Sequence, residues 1–275
     1  MLNLIKYILK SIGINKLVYL IQNTWFKFSH WLFLIIMSGK NFNLVFKGKK
    51  ITVVKQNYFR YKNKPLWFRL LDRTYERQEI KSILKFLDKE MTVLELGGSI
   101  GVTSVIINSL LAENHKHVVC EANPNLIENL ELNKINNKCN FVIENKPISS
   151  KETKVKFNFN DISLGGSILD KSLKYQENNH GAYKNILITT TTPKEIEEKF
   201  NLKFDCLICD IEGEEFNLLI DLIDYFKNFK LMIVEFHFDE KINYSKLENI
   251  KKNYDPFFNI SHINNNNVVF LKKNN

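Results

Sequence analysis

This sequence predicts an α/β fold: a mostly parallel sheet with helices on both faces, ending in an antiparallel hairpin. Three observations predict it. From Val93 onward, short apolar runs of strand character alternate with runs of helical periodicity. The first of those strands enters a glycine-rich turn, TVLELGGSIG from Thr92 to Gly101, and the apolar helical run VTSVIIN follows at once. The last two β runs, Phe257 to Ile263 and Val268 to Leu271, are separated by Asn264, Asn265, Asn266 and Asn267, the spacing of a hairpin.

Composition and charge set the limits. With 275 residues and 44% hydrophobic content, the chain can bury one sizeable core and carry one appendage. Glycine and proline are sparse, which excludes fibrous and low-complexity classes. Met1 to Leu71 holds eleven Lys, two Arg and no acid, so +13 of charge sits there against +9 for the whole chain, and the remainder is near −4. An anionic partner is therefore expected for the N-terminal part alone. Cys206 and Cys209 lie in FDCLICD, whose strand period points them to opposite faces. Together with Cys120 and Cys139 they read as small core residues of a reducing compartment, which places the protein in the cytoplasm or on the inner face of the membrane.

In chain order, residues 2–38 are rich in Leu, Ile, Phe and Trp, but Lys6, Lys10, Lys16 and Lys27 interrupt them. The longest uncharged piece, Phe28 to Gly39, falls short of the about 20 residues a spanning helix needs. Two readings survive: helices lying on an anionic membrane surface, with Trp25 and Trp31 at headgroup level, or helices packed as a lid. From Asn41 the runs LVF and ITVV around KGKK read as a hairpin. Residues 1–71 thus form a basic helical and hairpin extension, and residues 72–275 the main domain. Ile80, Ile83, Leu84 and Leu87 repeat at helical spacing and lead into the opening strand. Strand two is HVVCE, ending at Glu121, and Asn123-Pro124 caps a helix carrying Leu126, Ile127 and Leu130. NFVIEN, FDCLICD and KLMIVEFHF are strands three to five. Helices with Phe216, Leu219, Ile220 and Ile223 on one face, and over Tyr244 to Lys252, cover the last two.

The glycine turn points to a nucleotide-like cofactor, since residues without a Cβ let backbone approach a ligand. Glu121 stands twenty residues after Gly101, at the next strand tip, where a carboxylate accepts from both hydroxyls of a ribose. Nicotinamide and S-adenosylmethionine sites share that device, and a solvated strand-end acid is the plainer alternative. CDIEGEE, Cys209 to Glu215, and VEFHFD, Val234 to Asp239, form the second constellation. Their strands end on the edge where the glycine turn lies, so Asp210, Glu212, Glu235 and His237 are expected to converge. Glu214 and Glu215 read as favourable first-turn acids of a helix.

VLELGGSIGVTS, then CEANP, LICDIEGEE and IVEFH, in this order, resemble the FkbM-type methyltransferases of class I, from about Arg73 to Phe238. Thr74-Tyr75-Glu76 is similar to that family's Y-E before its first helix, and SLGGSILD, Ser163 to Asp170, to its small-residue loop. Ser99 departs from the glycine of many methyltransferases, and Ile208 from a frequent lysine. The resemblance implies the three-layer, Rossmann-like class I fold and S-adenosylmethionine as cofactor. Its methionine end would lie at Glu95, Gly97, Gly98, Ser99 and Gly101 and its ribose at Glu121. Tyr75, Glu76, Ala122, Asn123, Asn145 and Asp210 complete the implied cofactor set. It also implies O-methylation of a sugar hydroxyl, on a glycan or glycan precursor of capsule or lipopolysaccharide type. His237 is then the expected base, with Asp210 and Glu212 beside it, and Asp210 and Glu235 are expected Mg²⁺ ligands. The terminal hairpin disfavours a dehydrogenase. Nucleic acid is not the expected partner: the five prolines are never adjacent, so the N/D-P-P-Y/F motif of amine methylation is absent. RNA ribose 2′-O-methylation, or an inactive fold serving as a binding module, are the alternatives.

Overall fold

A computed structural model describes residues 41–54, 60–61, 64–113, 116–160, 164, 166–167, 183–238, 243–264 and 266–273. The chain divides into two units, Met1–Phe42 and Asn43–Asn275, and the second is described below. The expected N-terminal helices, with Trp25 and Trp31, lie outside the described residues, as does most of Ser163 to Asp170. No helix among the described residues is long and apolar enough to cross a membrane.

The described chain opens with the hairpin β1 (Phe42–Phe46) and β2 (Lys49–Val53), then the short pair β3 (Arg60–Tyr61) and β4 (Lys64–Pro65). Helices α1 (Leu66–Leu71) and α2 (Arg77–Phe86) precede β5 (Val93–Leu96). After it come α3 (Val102–Leu110), β6 (His117–Cys120), α4 (Ile127–Asn136) and β7 (Val142–Glu144). The main sheet resumes at β11 (Cys206–Cys209), followed by α6 (Glu215–Asp221), α7 (Ile223–Phe226), β12 (Leu231–Glu235), α8 (Asn243–Tyr254), β13 (Phe258–His262) and β14 (Asn267–Lys272). Its order is β13-β14-β12-β11-β5-β6-β7. Only β14 runs antiparallel, inserted between β12 and β13, so the expected terminal hairpin closes on the sheet's interior rather than extending its edge.

Both faces are covered, and side chains divide between them by strand period. Leu94, Leu96, Leu207, Cys209, Met232 and Val234 enter one core. Val93, Cys206, Ile208, Leu231 and Ile233 enter the other, so Cys206 and Cys209 do lie on opposite faces. All four cysteines are free thiols.

Between β7 and β11 the structure adds elements that the sequence analysis left unassigned. β8 (Lys154–Asn160), β9 (Gly166–Ser167) and β10 (Tyr183–Thr189) form a separate antiparallel sheet. Helix α5 (Pro193–Phe200) then starts on a capping box, in which the Thr192 side chain and Glu195 satisfy each other's backbone N–H groups. Strand β12 also ends earlier than expected. Glu235 is its last register position, opposite Asn267, and after Phe236 N–H donates to the Asn266 carbonyl the chain leaves the sheet. His237 therefore stands on a connecting segment, and strand alternation does not govern where it points.

The β1–β2 hairpin falls in the same unit as the sheet and is tied to α4 by side-chain amides. Asn129 and Asn133 on that helix and Asn137 at its C-terminal cap recur every four residues and meet the backbone of Val54, Thr52 and Lys50, which recur every two. Four residues of helix rise about 6 Å and two of strand about 6.6 Å, so the two ladders stay in step. Asn133 and Asn137 each accept from and donate to the same strand residue, as a neighbouring strand would.

Candidate active site

The chain reverses its winding between β5 and β11, and ligands of open α/β sheets sit beyond the strand ends at such a point. The glycine turn follows β5 there and Asp210 follows β11. The two are in contact: a Cβ on Gly97 would come within 1.9 Å of the Asp210 carbonyl oxygen. On Gly98 it would meet Val119 at 2.3 Å, and on Gly101 Leu130 at 2.6 Å. These glycines thus answer first to packing within the protein, whereas the sequence alone suggested ligand approach.

Glu121 reaches back over the turn. Its carboxylate accepts Ser99 N–H at 2.7 Å and Asn123 N–H at 2.6 Å. Burial pushes this carboxyl up to about 7, against the opposing pull of the Asn123, Ser99 and Ala122 N–H groups. Asn145 holds the same residue by donating its side-chain amide to the Glu121 carbonyl at 2.6 Å. Asn123 accepts Asn125 N–H through Oδ1 at 3.0 Å, while its buried Nδ2 has no partner among the described residues. A buried amide without a partner costs free energy that a ligand acceptor recovers. Carboxylate and orphaned donor together suit the hydroxyl and ring groups of a nucleoside.

Glu95, expected at the cofactor, is committed elsewhere. It is buried at 1% exposure, accepts from Ser104 Oγ at 2.8 Å and lies 2.8 Å from His117 Nε2, which braces β5 against β6 and α3. Tyr75, Glu76 and Glu79 come to the site from the start of α2. Burial raises the Tyr75 phenol, and Glu76 and Asp210 add to the rise, so these groups share one neighbourhood. Glu79, which the sequence analysis passed over, is raised by burial and by Asp210, Glu76, Glu95 and Glu235. Its place in the helical pattern beside Ile80 was the one signal available. Oxygens of Glu76, Asp210 and Glu235 fall within 4.8 Å of one another, as do ligand atoms of Asp210, Glu215 and His237.

His237 does join Asp210 and Glu212, as expected. Its Nε2 lies 3.5 Å from Asp210 Oδ1 and 3.6 Å from Glu212 Oε2, and its Nδ1 lies 2.8 Å from Glu215 Oε1. Burial alone would lower the imidazole, but the Glu215, Asp210 and Glu212 carboxylates outweigh it and raise it to about 11. This environment favours the charged form of the His237 imidazole. Asp210 is raised above the usual carboxylate range by burial and by Glu76, Glu235 and Glu212, with His237 opposing. Burial and neighbouring acids thus shift Asp210 toward its neutral form, while the surrounding carboxylates shift His237 toward its charged form.

A sheet of this order, with a glycine turn and a buried acid at its switch point and one antiparallel strand near the chain's end, is the class I methyltransferase fold. The chain matches the family described as Methyltransferase FkbM domain over residues 95–255, and it belongs to that family. No curated protein matches it. Among solved structures it is similar to a dimethyladenosine transferase from Plasmodium falciparum (13% identity, 73% of this chain and 62% of that one, TM-score 0.45). It is also similar to a Methanococcus jannaschii fibrillarin pre-rRNA processing protein (15% identity, 84% and 87% coverage, TM-score 0.43). A third is a Pyrococcus abyssi tRNA (uracil-54, C5)-methyltransferase in complex with S-adenosyl-L-homocysteine (10% identity, 84% and 44% coverage, TM-score 0.44). The chain spans less than two thirds of the first and the third.

With the Glu121 carboxyl as the expected ribose acceptor, cofactor affinity is expected to depend on pH. Ribose hydroxyls donate best to the ionised form, which dominates only above about 7. Calorimetry is expected to show the Kd for S-adenosylmethionine falling between pH 6 and 8, by up to about tenfold per unit below the pKa. Glu121→Gln should bind weakly at every pH with a flat profile; a Kd in the unsubstituted protein that does not vary over this range removes the assignment.

Proposed function

We propose that this protein transfers the methyl group of S-adenosylmethionine to a hydroxyl of a saccharide, on a glycan or glycan precursor of capsule or lipopolysaccharide type. The observation that supports this reading is the direct contact between the Gly97 turn and Asp210, which brings a carboxylate and imidazole cluster against the turn that the family resemblance gives to the cofactor. When bound, the cofactor supplies an electrophilic methyl group on a cationic sulfur. The protein must align the hydroxyl and take its proton, since a sugar hydroxyl is a very weak acid. The expected base, His237, lies 3.5 Å from Asp210 and 3.6 Å from Glu212, and this imidazole and carboxylate cluster would receive that proton.

The charge of the acceptor side supports a neutral saccharide over RNA. Glu76, Asp210, Glu212 and Glu235 gather there and would repel a phosphodiester backbone. The same oxygens suit a hard divalent cation: Glu76, Asp210 and Glu235 would hold Mg²⁺, which when bound would acidify the hydroxyl. Contact of residues 1–40 with an anionic membrane belongs to the same reading, and retention on phosphatidylglycerol vesicles tests it.

Mass spectrometry of surface glycan from a strain lacking the protein is expected to show the loss of a methyl group. An unchanged glycan together with methyl transfer to RNA in vitro would replace this reading. In the saccharide assay, chelator is expected to lower turnover and Mg²⁺ to restore it; turnover unaffected by chelator removes the metal.

A further inference from the structure

In the run from Asp210 to Glu215, Asp210 and Glu212 remain partly exposed, at 22% and 49% of their side chains, whereas Glu215 is wholly buried at 0%. Its Oε1 makes three contacts: it accepts the backbone N–H of Ile211 at 3.2 Å and of Gly213 at 3.0 Å, and it lies 2.8 Å from His237 Nδ1. The first two close the turn after β11, where Glu212 and Gly213 hold positive φ of 58° and 119°. A non-glycine residue stays in that region only where its surroundings hold it, and charge-assisted hydrogen bonds to a buried carboxylate are strong enough to do so. The third bond crosses to the segment after β12. One oxygen thus joins the turn carrying Asp210 and Glu212 to the segment carrying His237.

We propose that Glu215 is the positioning residue of the methyl-acceptor side. By taking Nδ1–H it fixes both the orientation of the imidazole and which nitrogen faces the site. Nε2 then points between Asp210 at 3.5 Å and Glu212 at 3.6 Å. Glu215 acts through His237 and touches no reacting atom. It is an internal clamp, not the solvated first-turn acid that its place at the start of α6 suggests. The inference rests on the reading of Asp210 and His237 as the acceptor-side pair, but its test needs no acceptor.

The test is nitrogen-15 NMR of the histidine side chains in the full-length protein near neutral pH, with calorimetry of S-adenosylmethionine on the same samples. The unsubstituted protein is expected to show a low-field Nδ1–H resonance that His237→Gln removes. Glu215→Gln keeps an oxygen for Ile211 and Gly213 but loses the charge. It should move that resonance upfield or abolish it, while the Kd for S-adenosylmethionine stays within about threefold. A resonance unmoved in Glu215→Gln overturns the proposal. So does loss of cofactor binding in step with the resonance, which would make Glu215 a structural or cofactor residue. If Glu215→Gln does not fold, the unsubstituted protein decides, because a His237 Nδ1 without a bonded proton is incompatible with the clamp. Absence of cofactor binding by the unsubstituted protein would instead sink the methyltransferase reading, whatever the imidazole shows.

Discussion

Gly97→Ala is expected to weaken S-adenosylmethionine binding by more than about a hundredfold and to lower the melting temperature by several degrees. The added Cβ would lie 1.9 Å from the Asp210 carbonyl oxygen and 2.9 Å from its carbon, and both are backbone atoms. Neither side can yield cheaply. Gly97 N–H is bonded to the Cys120 carbonyl at 2.9 Å, and Asp210 N–H to the Leu96 carbonyl at 2.9 Å. The φ of +89° adds strain of its own. The substitution must therefore part the ends of β5 and β11, where the glycine turn meets the segment carrying Asp210. Gly48→Ala separates the two causes: its φ is +77° but no atom lies within 4 Å of the new Cβ. It should cost about 1 kcal/mol and leave binding intact. Binding by Gly97→Ala within threefold of the unsubstituted protein would refute the argument.

Asn133→Ala is expected to cost about 3–5 kcal/mol, one of the largest single losses available outside the apolar core. Asn133 is fully buried. Its Oδ1 accepts Thr52 N–H at 2.5 Å, and its Nδ2 donates to the Thr52 carbonyl at 3.1 Å and to the Ile100 carbonyl at 2.7 Å. Truncation strands these backbone groups without water, which is the costly way to lose a hydrogen bond. Asn133→Leu, which refills the volume but restores no bond, should remain nearly as unstable. Asn137→Ala removes the matching pair with Lys50 at an exposed position and should cost under about 1 kcal/mol. Thermal denaturation of the three variants checks the order, and equal losses at positions 133 and 137 would contradict it.

Much of the site was legible because strand-end chemistry is local. A strand, a glycine turn and an acid at the next strand tip placed Gly97, Gly98, Gly101 and Glu121 correctly on one edge. Asp210 and His237 were also expected to meet, although His237 was expected inside the last parallel strand and β12 ends at Glu235. Other signals were present but unread. KVKFNFN alternates as a strand should, and Thr192-Pro193 followed by Glu195 is a capping box written in residue types. Glu95 and Glu215 were beyond local reading. Each is an acid in a favourable-looking place whose partner, His117 or His237, stands twenty-two residues away in the chain.

By itself the sequence determined the class of fold and the edge of the sheet at which the glycine turn lies, because periodicity and turn chemistry act over a few residues; the family came from the resemblance of its motifs. Only the tertiary structure decided why Gly97 must be glycine, which nitrogen of His237 faces the site, and which carboxylates surround this imidazole. Those properties come from groups that sequence keeps apart and the parallel pairing of β5, β11 and β12 brings within hydrogen-bonding distance. There, burial and the sum of several nearby charges, rather than any one residue's intrinsic preference, set how each side chain behaves.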